Sequence, residues 1–173
     1  MKELFQLLSQ YNAQTNAEMM GVLEKLPAEQ LTKDVKSFYG SIIGLLNHIL
    51  VSDVFGIKRF RTQYPEMVEK INPKLPVFKM EGWKDIVWPS LAELKPIRTS
   101  VDEAIRQACD LLTEKQYNSI LHYKNWDGKV MQKPVWLVLI HMFNHQTHNR
   151  GQIAVILDQM TVENDYSGIL NKF

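Results

Sequence analysis

At 173 residues, with 45% hydrophobic and 23% charged side chains, the chain has the size and composition of one globular domain spanning residues 1–173, which excludes an intrinsically disordered protein. Twenty basic against nineteen acidic residues give a formal net charge of +1, so no electrostatic footprint calls for nucleic acid or an anionic membrane as partner. The densest basic cluster, Lys58, Arg59 and Arg61, falls at the end of an expected helix, where it complements the helix dipole.

Residues 3–25 carry Leu4, Leu7, Leu8, Tyr11, Met19, Val22 and Leu23 at spacings of three and four, which predicts an amphipathic helix ended near Pro27. Residues 38–61 repeat the pattern with Ile42, Ile43, Leu46, Ile49, Leu50, Val54, Ile57 and Phe60. From Thr62 to Pro89 it dissolves into Tyr64-Pro65, Asn72-Pro73, Leu75-Pro76 and Trp88-Pro89, an irregular connection long enough to pack over the other elements. A third helix is expected from Ser90 to Leu112, with Pro96 kinking it or delaying its start. Within it lies the one cysteine, Cys109, as a small core residue. A lone cysteine forms no internal disulfide and fits a reducing, cytoplasmic compartment. Residues 117–133 place Asp127-Gly128 between two short alternating runs, a β-hairpin. Pro134 then suits the first turn of a fourth helix running through Met160. Four helices, a hairpin and no βαβ alternation predict an all-α fold, a four-helix bundle with a crossover. No window approaches eighteen apolar residues, so no membrane span is expected, and Met1 to Gln6 is amphipathic rather than signal-like.

The chemistry concentrates in the fourth helix, where His141, His145 and His148 fall within eight residues. At about 100° per residue, Val135, Val138, Leu139, Met142, Ile153, Ile156 and Met160 define its core face. His145 and Asn149 lie on or beside that face, and His141 and His148 lie further round. One turn apart, side chains at 145 and 149 converge on one point, and a third group from another helix completes a set. His48 on the second helix is the candidate, flanked by the small residues Ser41, Gly44 and Ser52. Neutral imidazoles are common ligands for zinc, nickel, iron and copper, and three protein ligands plus a water are the pattern of a catalytic metal. The competing reading of each histidine is a core residue bonded to a carbonyl. Arg150 falls opposite the core-facing positions, beside Trp136, Phe143 and Ala154. That second apolar face needs a neighbouring helix or a dimer partner, and a homodimer is expected. Gly151 suggests close approach of another helix or chain. His122 belongs to the hairpin and is expected to be exposed. There is no Glu-x-x-His or His-Glu-x-x-His pair, no phosphate-binding glycine loop and no Gly-x-Ser-x-Gly elbow.

The stretch from Asn144 through His145, Asn149 and Arg150 to Gln152, with Leu46-Asn47-His48-Ile49-Leu50 and Asp53, resembles the DinB-like family, whose last helix typically reads Asn-His-x-x-x-His-Arg-Gly-Gln. The resemblance implies an up-down-down-up four-helix bundle with a long second connection, frequent homodimers and a divalent metal, zinc or nickel foremost, held by three histidines. Carried over, the ligands fall on His48, His145 and Asn149. The last is a departure, since an amide oxygen is a poorer ligand than imidazole. A weakened or empty site is implied, with His141, His148 or a solvent molecule as alternatives for the missing ligand. Some relatives resemble thiol-dependent S-transferases acting on electrophiles and others hydrolases, so a small-molecule substrate and a low-molecular-weight thiol are the implied partners. The alternative is a non-catalytic small-molecule-binding or stress-response bundle. No general base is identifiable, because Asp53, the nearest carboxylate on the second helix, points away from His48.

Overall fold

The computed structural model describes residues 1–173. The chain is mostly helical: α1 (Lys2–Leu23), α2 (Ala28–Thr32), α3 (Ile42–Lys58), α4 (Pro65–Ile71), α5 (Leu91–Leu111) and α6 (Glu114–Tyr117) precede an antiparallel hairpin of β1 (Ile120–Lys124) and β2 (Val130–Pro134), and α7 (Val135–Gln159) follows directly. α1 packs on α5 and α7, and α3 packs on the same two. No helix is long and apolar enough to cross a membrane.

Side-chain pairs record how the long helices meet. Along α1 and α5, Gln6 bonds Asp110, Asn16 bonds Asp102 and Glu24 bonds Lys95. Between α3 and α5, Asn47 holds the chain at Trp88 and Asp53 pairs with Arg98. α3 meets α7 at His48 and His145, and α1 meets α7 through Phe5 on Phe143 and through Arg150 on Asn12.

The ends of these helices follow from local chemistry. Ser41 accepts a bond from the Gly44 amide and Ser90 one from the Glu93 amide, so α3 and α5 begin just after serine N-caps. Residues expected to belong to the second helix before Ser41 instead form a turn, with Gly40 at φ +78°. Pro96 does not delay α5: the Ser90 cap starts the helix upstream, and the proline sits inside it. Its missing N–H forgoes one backbone bond near a well-anchored start. The connection from Thr62 to Pro89 is less irregular than expected, because Pro65 occupies the first turn of α4, where its fixed φ suits a helix. Pro134 closes β2 and precedes α7 rather than lying within its first turn.

Two further expectations are corrected. α1 turns not Leu4, which is half exposed, but Phe5, Ser9, Asn12, Asn16, Met19 and Leu23 inward. This partly polar face covers the second side of α7, so Arg150 is buried and Phe143 is in the core. A helix of the same chain meets the need that the hydrophobic pattern left open between neighbour and dimer partner. Gly151 is exposed, and nothing lies within 4 Å of where its Cβ would be, so no helix of this chain approaches it closely. Cys109 is fully buried, and burial pushes its thiol up to about 12, in keeping with a core residue.

Candidate functional site

The structure brings His48, His145 and Asn149 together. The Nε2 atoms of His48 and His145 stand 2.8 Å apart, and the Asn149 amide nitrogen lies 3.2 Å from the His145 Nε2 while donating to the His145 carbonyl at 2.8 Å. Asn149 is buried and both rings are half-buried. His141 lines the same space, its ring centre 6.2 Å from that of His145, whereas His148 is exposed and bonded to Gln152 on the outer side of α7. His122 is exposed on the hairpin.

A fourth group, which the sequence reading did not single out, completes the cluster. The Tyr39 ring stacks on His48 with centres 3.9 Å apart, and its hydroxyl lies 2.8 Å from the same Nε2. Two glycines put it there. Gly40 supplies the left-handed turn that folds Tyr39 back, and Gly44 lets the Tyr39 carbonyl rest against α3, only 1.9 Å from where a Cβ would stand. The small residues beside His48 therefore do not simply leave open space: Tyr39 fills that at Gly44, Ser41 caps the helix, and only Ser52 faces the cavity. A glycine before a serine cap was a legible turn signal, but nothing local says that the phenol packs on a ring nine residues later.

No single placement of protons gives each of the three contacts around the imidazoles a proton of its own. If both Nε2 atoms are bare, Tyr39 and Asn149 donate to them but two lone pairs face each other at 2.8 Å. If the His48 Nε2 carries the proton, that one proton is shared between His145 and the Tyr39 oxygen, which then accepts rather than donates. If the His145 Nε2 carries it, the Asn149 amide points a donor at a donor. The His48 Nδ1 and the Asn149 Oδ1 are also buried without partners. Burial depresses both rings to about 4, with the neighbouring His48 adding to the effect on His145, so both are neutral at pH 7. Burial raises the Tyr39 phenol, which keeps its proton.

Beneath the histidines lies a polar core that sets the rotation of α7. Arg150 donates to the side-chain oxygens of Asn12, Asn16 at 3.1 Å and Gln146 at 3.3 Å, while Arg98 bridges Asp53 and Asp102. Asp53 thus faces Arg98 from within the core, and burial holds its carboxyl up at about 6 against the pull of that guanidinium. Two buried cations face two buried carboxylates, so the core is neutral as a whole. On its other side the cluster opens to a cavity of about 430 Å³ walled by Phe38, Ser52, Asp53, Arg59, Trp83 and Met142. Asn47 fixes the wall by accepting from the Val87 and Trp88 amides and donating to the Trp88 carbonyl, which anchors the strap that carries Trp83.

A helical chain with paired histidines between two long helices, roofed by an aromatic strap, is the class of protein that fold and site define. The sequence model of the DinB family matches residues 1–166, and the chain belongs to that family. Protein DinB of Bacillus subtilis (strain 168) is 26% identical over 156 residues, covering 88% of this chain and 83% of the relative. The crystal structure of a DinB-like protein from Bacillus cereus has the same fold, with a TM-score of 0.53 at 22% identity over 91% of this chain and 92% of the other.

Proposed function

We propose that this protein is a metal-dependent enzyme acting on a small molecule, by thiol transfer to an electrophile or by hydrolysis, built on an up-down-down-up four-helix bundle. The topology is supported by the seams: contacts run in opposite numerical order between α1 and α5, and between α3 and α7, where His48 faces His145 and Gly56 faces Met142. They run in the same order between α1 and α7 and between α3 and α5.

The observation that carries the metal is the proton conflict around His48 and His145, which a cation resolves by accepting both lone pairs at once. The donor set suits a borderline divalent ion such as zinc or nickel. Nitrogens sharing one tetrahedral ion stand about 3.3 Å apart, so the 2.8 Å pair needs to open by only a few tenths of an ångström. The third ligand in this reading is the unpartnered Asn149 Oδ1, reached by rotating the amide at the expense of its bond to the His145 carbonyl. That exchange makes the site weaker than one with three imidazoles. A bound ion would supply a thiolate or a hydroxide at neutral pH.

The chain's own groups do the rest. Tyr39, held protonated, offers a hydroxyl proton beside His48, while Trp83, Phe38 and Met142 give the cavity an apolar wall. Asp53 also lines this cavity, with one carboxylate oxygen held by Arg98. A homodimer belongs to this proposal through the exposed stripe of Leu137, Ile140, Gly151 and Val155 on α7, and a cytoplasmic home through the single buried thiol. A non-catalytic binding bundle is the second reading, favoured by the amide nitrogen that Asn149 places 3.2 Å from the His145 Nε2.

The test is metal analysis of protein purified without a nickel column, beside His48→Ala and His145→Ala. The expected result is a divalent ion bound by the wild type and lost from both variants, together with metal-dependent turnover in a panel of thiols and electrophiles. Equal metal content in all three proteins would refute the site. Metal bound without any turnover would favour the binding bundle.

A further inference from the structure

A second cavity of about 300 Å³ adjoins the first, and the two share Arg59 and Trp83 as a common wall. Its other lining groups are Phe55, Lys58, Tyr123, Lys124 and Trp126, together with polar Thr62 and Asn125. Three cations therefore face one small space, and no carboxylate lines it. None of the three makes an ion pair, and the ammonium groups of Lys58 and Lys124 and the guanidinium of Arg59 have no hydrogen-bond partner in the protein. Asp127, the acidic residue nearest in the hairpin loop, bonds to Asn125 and lies outside the lining.

The helix dipole explains part of this cluster. Lys58 and Arg59 end α3, where cations complement the carbonyl terminus. It does not account for Lys124, which comes across from β1, nor for the aromatic walls. Trp83 and Trp126 lie with ring centres 4.9 Å apart, Phe55 meets Trp126 edge-on at 5.3 Å, and the Arg59 guanidinium lies 5.0 Å over Tyr123. Flat apolar surfaces beside unpaired donors fit a ligand with a flat apolar body and an anionic terminus. The guanidinium supplies a planar fork for a carboxylate or a phosphate.

We infer that this cavity is an anion subsite for the substrate, taking a planar or aromatic small molecule through a terminal carboxylate or phosphate on Arg59, Lys58 and Lys124. This deepens the function proposed above and rests on it in one respect only: the far end of the ligand passes Trp83 into the cavity of His48 and His145. The hairpin thus becomes part of the binding site, since it contributes Tyr123, Lys124 and Trp126.

The probes are benzoate, phenyl phosphate and benzyl alcohol, followed through the indole N–H signals of the four tryptophans by heteronuclear NMR, with Trp83→Phe and Trp126→Phe for assignment. Wild type, Arg59→Gln, Lys124→Gln and His48→Ala are compared, each with chelator. At least one anion should shift the Trp83 and Trp126 signals while Trp136 stays still, and benzyl alcohol should bind more weakly. Loss of one charged donor should raise the dissociation constant about tenfold in Arg59→Gln. Lys124→Gln, on the hairpin edge, checks the charge effect should Arg59→Gln unfold. The ratio of benzoate to phenyl phosphate affinity decides which anion the site prefers. Benzyl alcohol binding as tightly as both anions, no shift with either anion, or affinities unchanged in both charge variants would each overturn the inference. Because every protein is measured with chelator, anion binding to wild type and to His48→Ala alike keeps the two ideas separable: a failed metal site leaves the subsite standing, and a failed subsite leaves the metal site untouched.

Discussion

Replacing Arg150 by methionine tests whether the polar core aims the site. The side chain is 2% exposed and spans from α7 to α1, donating to the oxygens of Asn12, Asn16 and Gln146. Methionine fills a similar volume but leaves these acceptors without that donor, at about 1–3 kcal/mol for each one left unsatisfied. Removing a desolvated guanidinium offsets part of this, for a net destabilisation of about 2–4 kcal/mol. The loss has a pH signature, because Arg150 lowers the carboxyls of both Asp53 and Asp102. Without it their folded pKa values rise further above the ordinary 3.8, so the folded variant binds more protons than the unfolded chain over a wider range. Such a group loses stability as pH rises, and the deficit against wild type should therefore be larger at pH 7 than at pH 5. Urea unfolding followed by far-UV circular dichroism at both pH values measures it. A deficit below about 1 kcal/mol, or one that grows on acidification, would refute the account of Arg150 as a buried tie between α1 and α7.

Three further outcomes are expected. In chelator-treated protein, His48 and His145 titrate at about 4 when folded against an ordinary 6.5, so the unfolded chain binds more protons between those values and stability present above pH 6.5 is lost as pH falls. After discounting for water in the cavity, this loss is about 2 kcal/mol, and a flat unfolding midpoint from pH 7 to pH 5 would contradict it. Gly44→Ala drives a Cβ into the Tyr39 carbonyl and should cost about 1–3 kcal/mol while releasing Tyr39 from His48. Gly21→Ala, with nothing near its Cβ, is the control, and equal melting temperatures for the two variants would be the contrary result. Asn149→His should tighten divalent metal binding by at least on the order of tenfold, since even outer-shell partners change affinity that much. Calorimetry showing unchanged affinity would mean that position 149 does not face the ion.

Much of this protein is written in its local sequence. Apolar spacing of three and four and the Asp127-Gly128 turn predict the helices and the hairpin because each depends on neighbours within a turn or two, whereas the start of α3 at the Ser41 cap emerged only in the structure. The pairing of position 48 with position 145 was legible as well, through the resemblance and the wheel of the last helix. Periodicity put Arg150 on the second apolar face of α7 but did not distinguish what covers it, because a helix apolar on two faces leaves its partners undetermined until α1 arrives with Asn12 and Asn16. Tyr39 on His48, Asp53 on Arg98, and Lys124 across from Lys58 and Arg59 are long-range meetings decided by how elements pack. Residue types and helix phase are properties of a segment, whereas the chemistry of a cavity belongs to segments that meet only after the chain has folded.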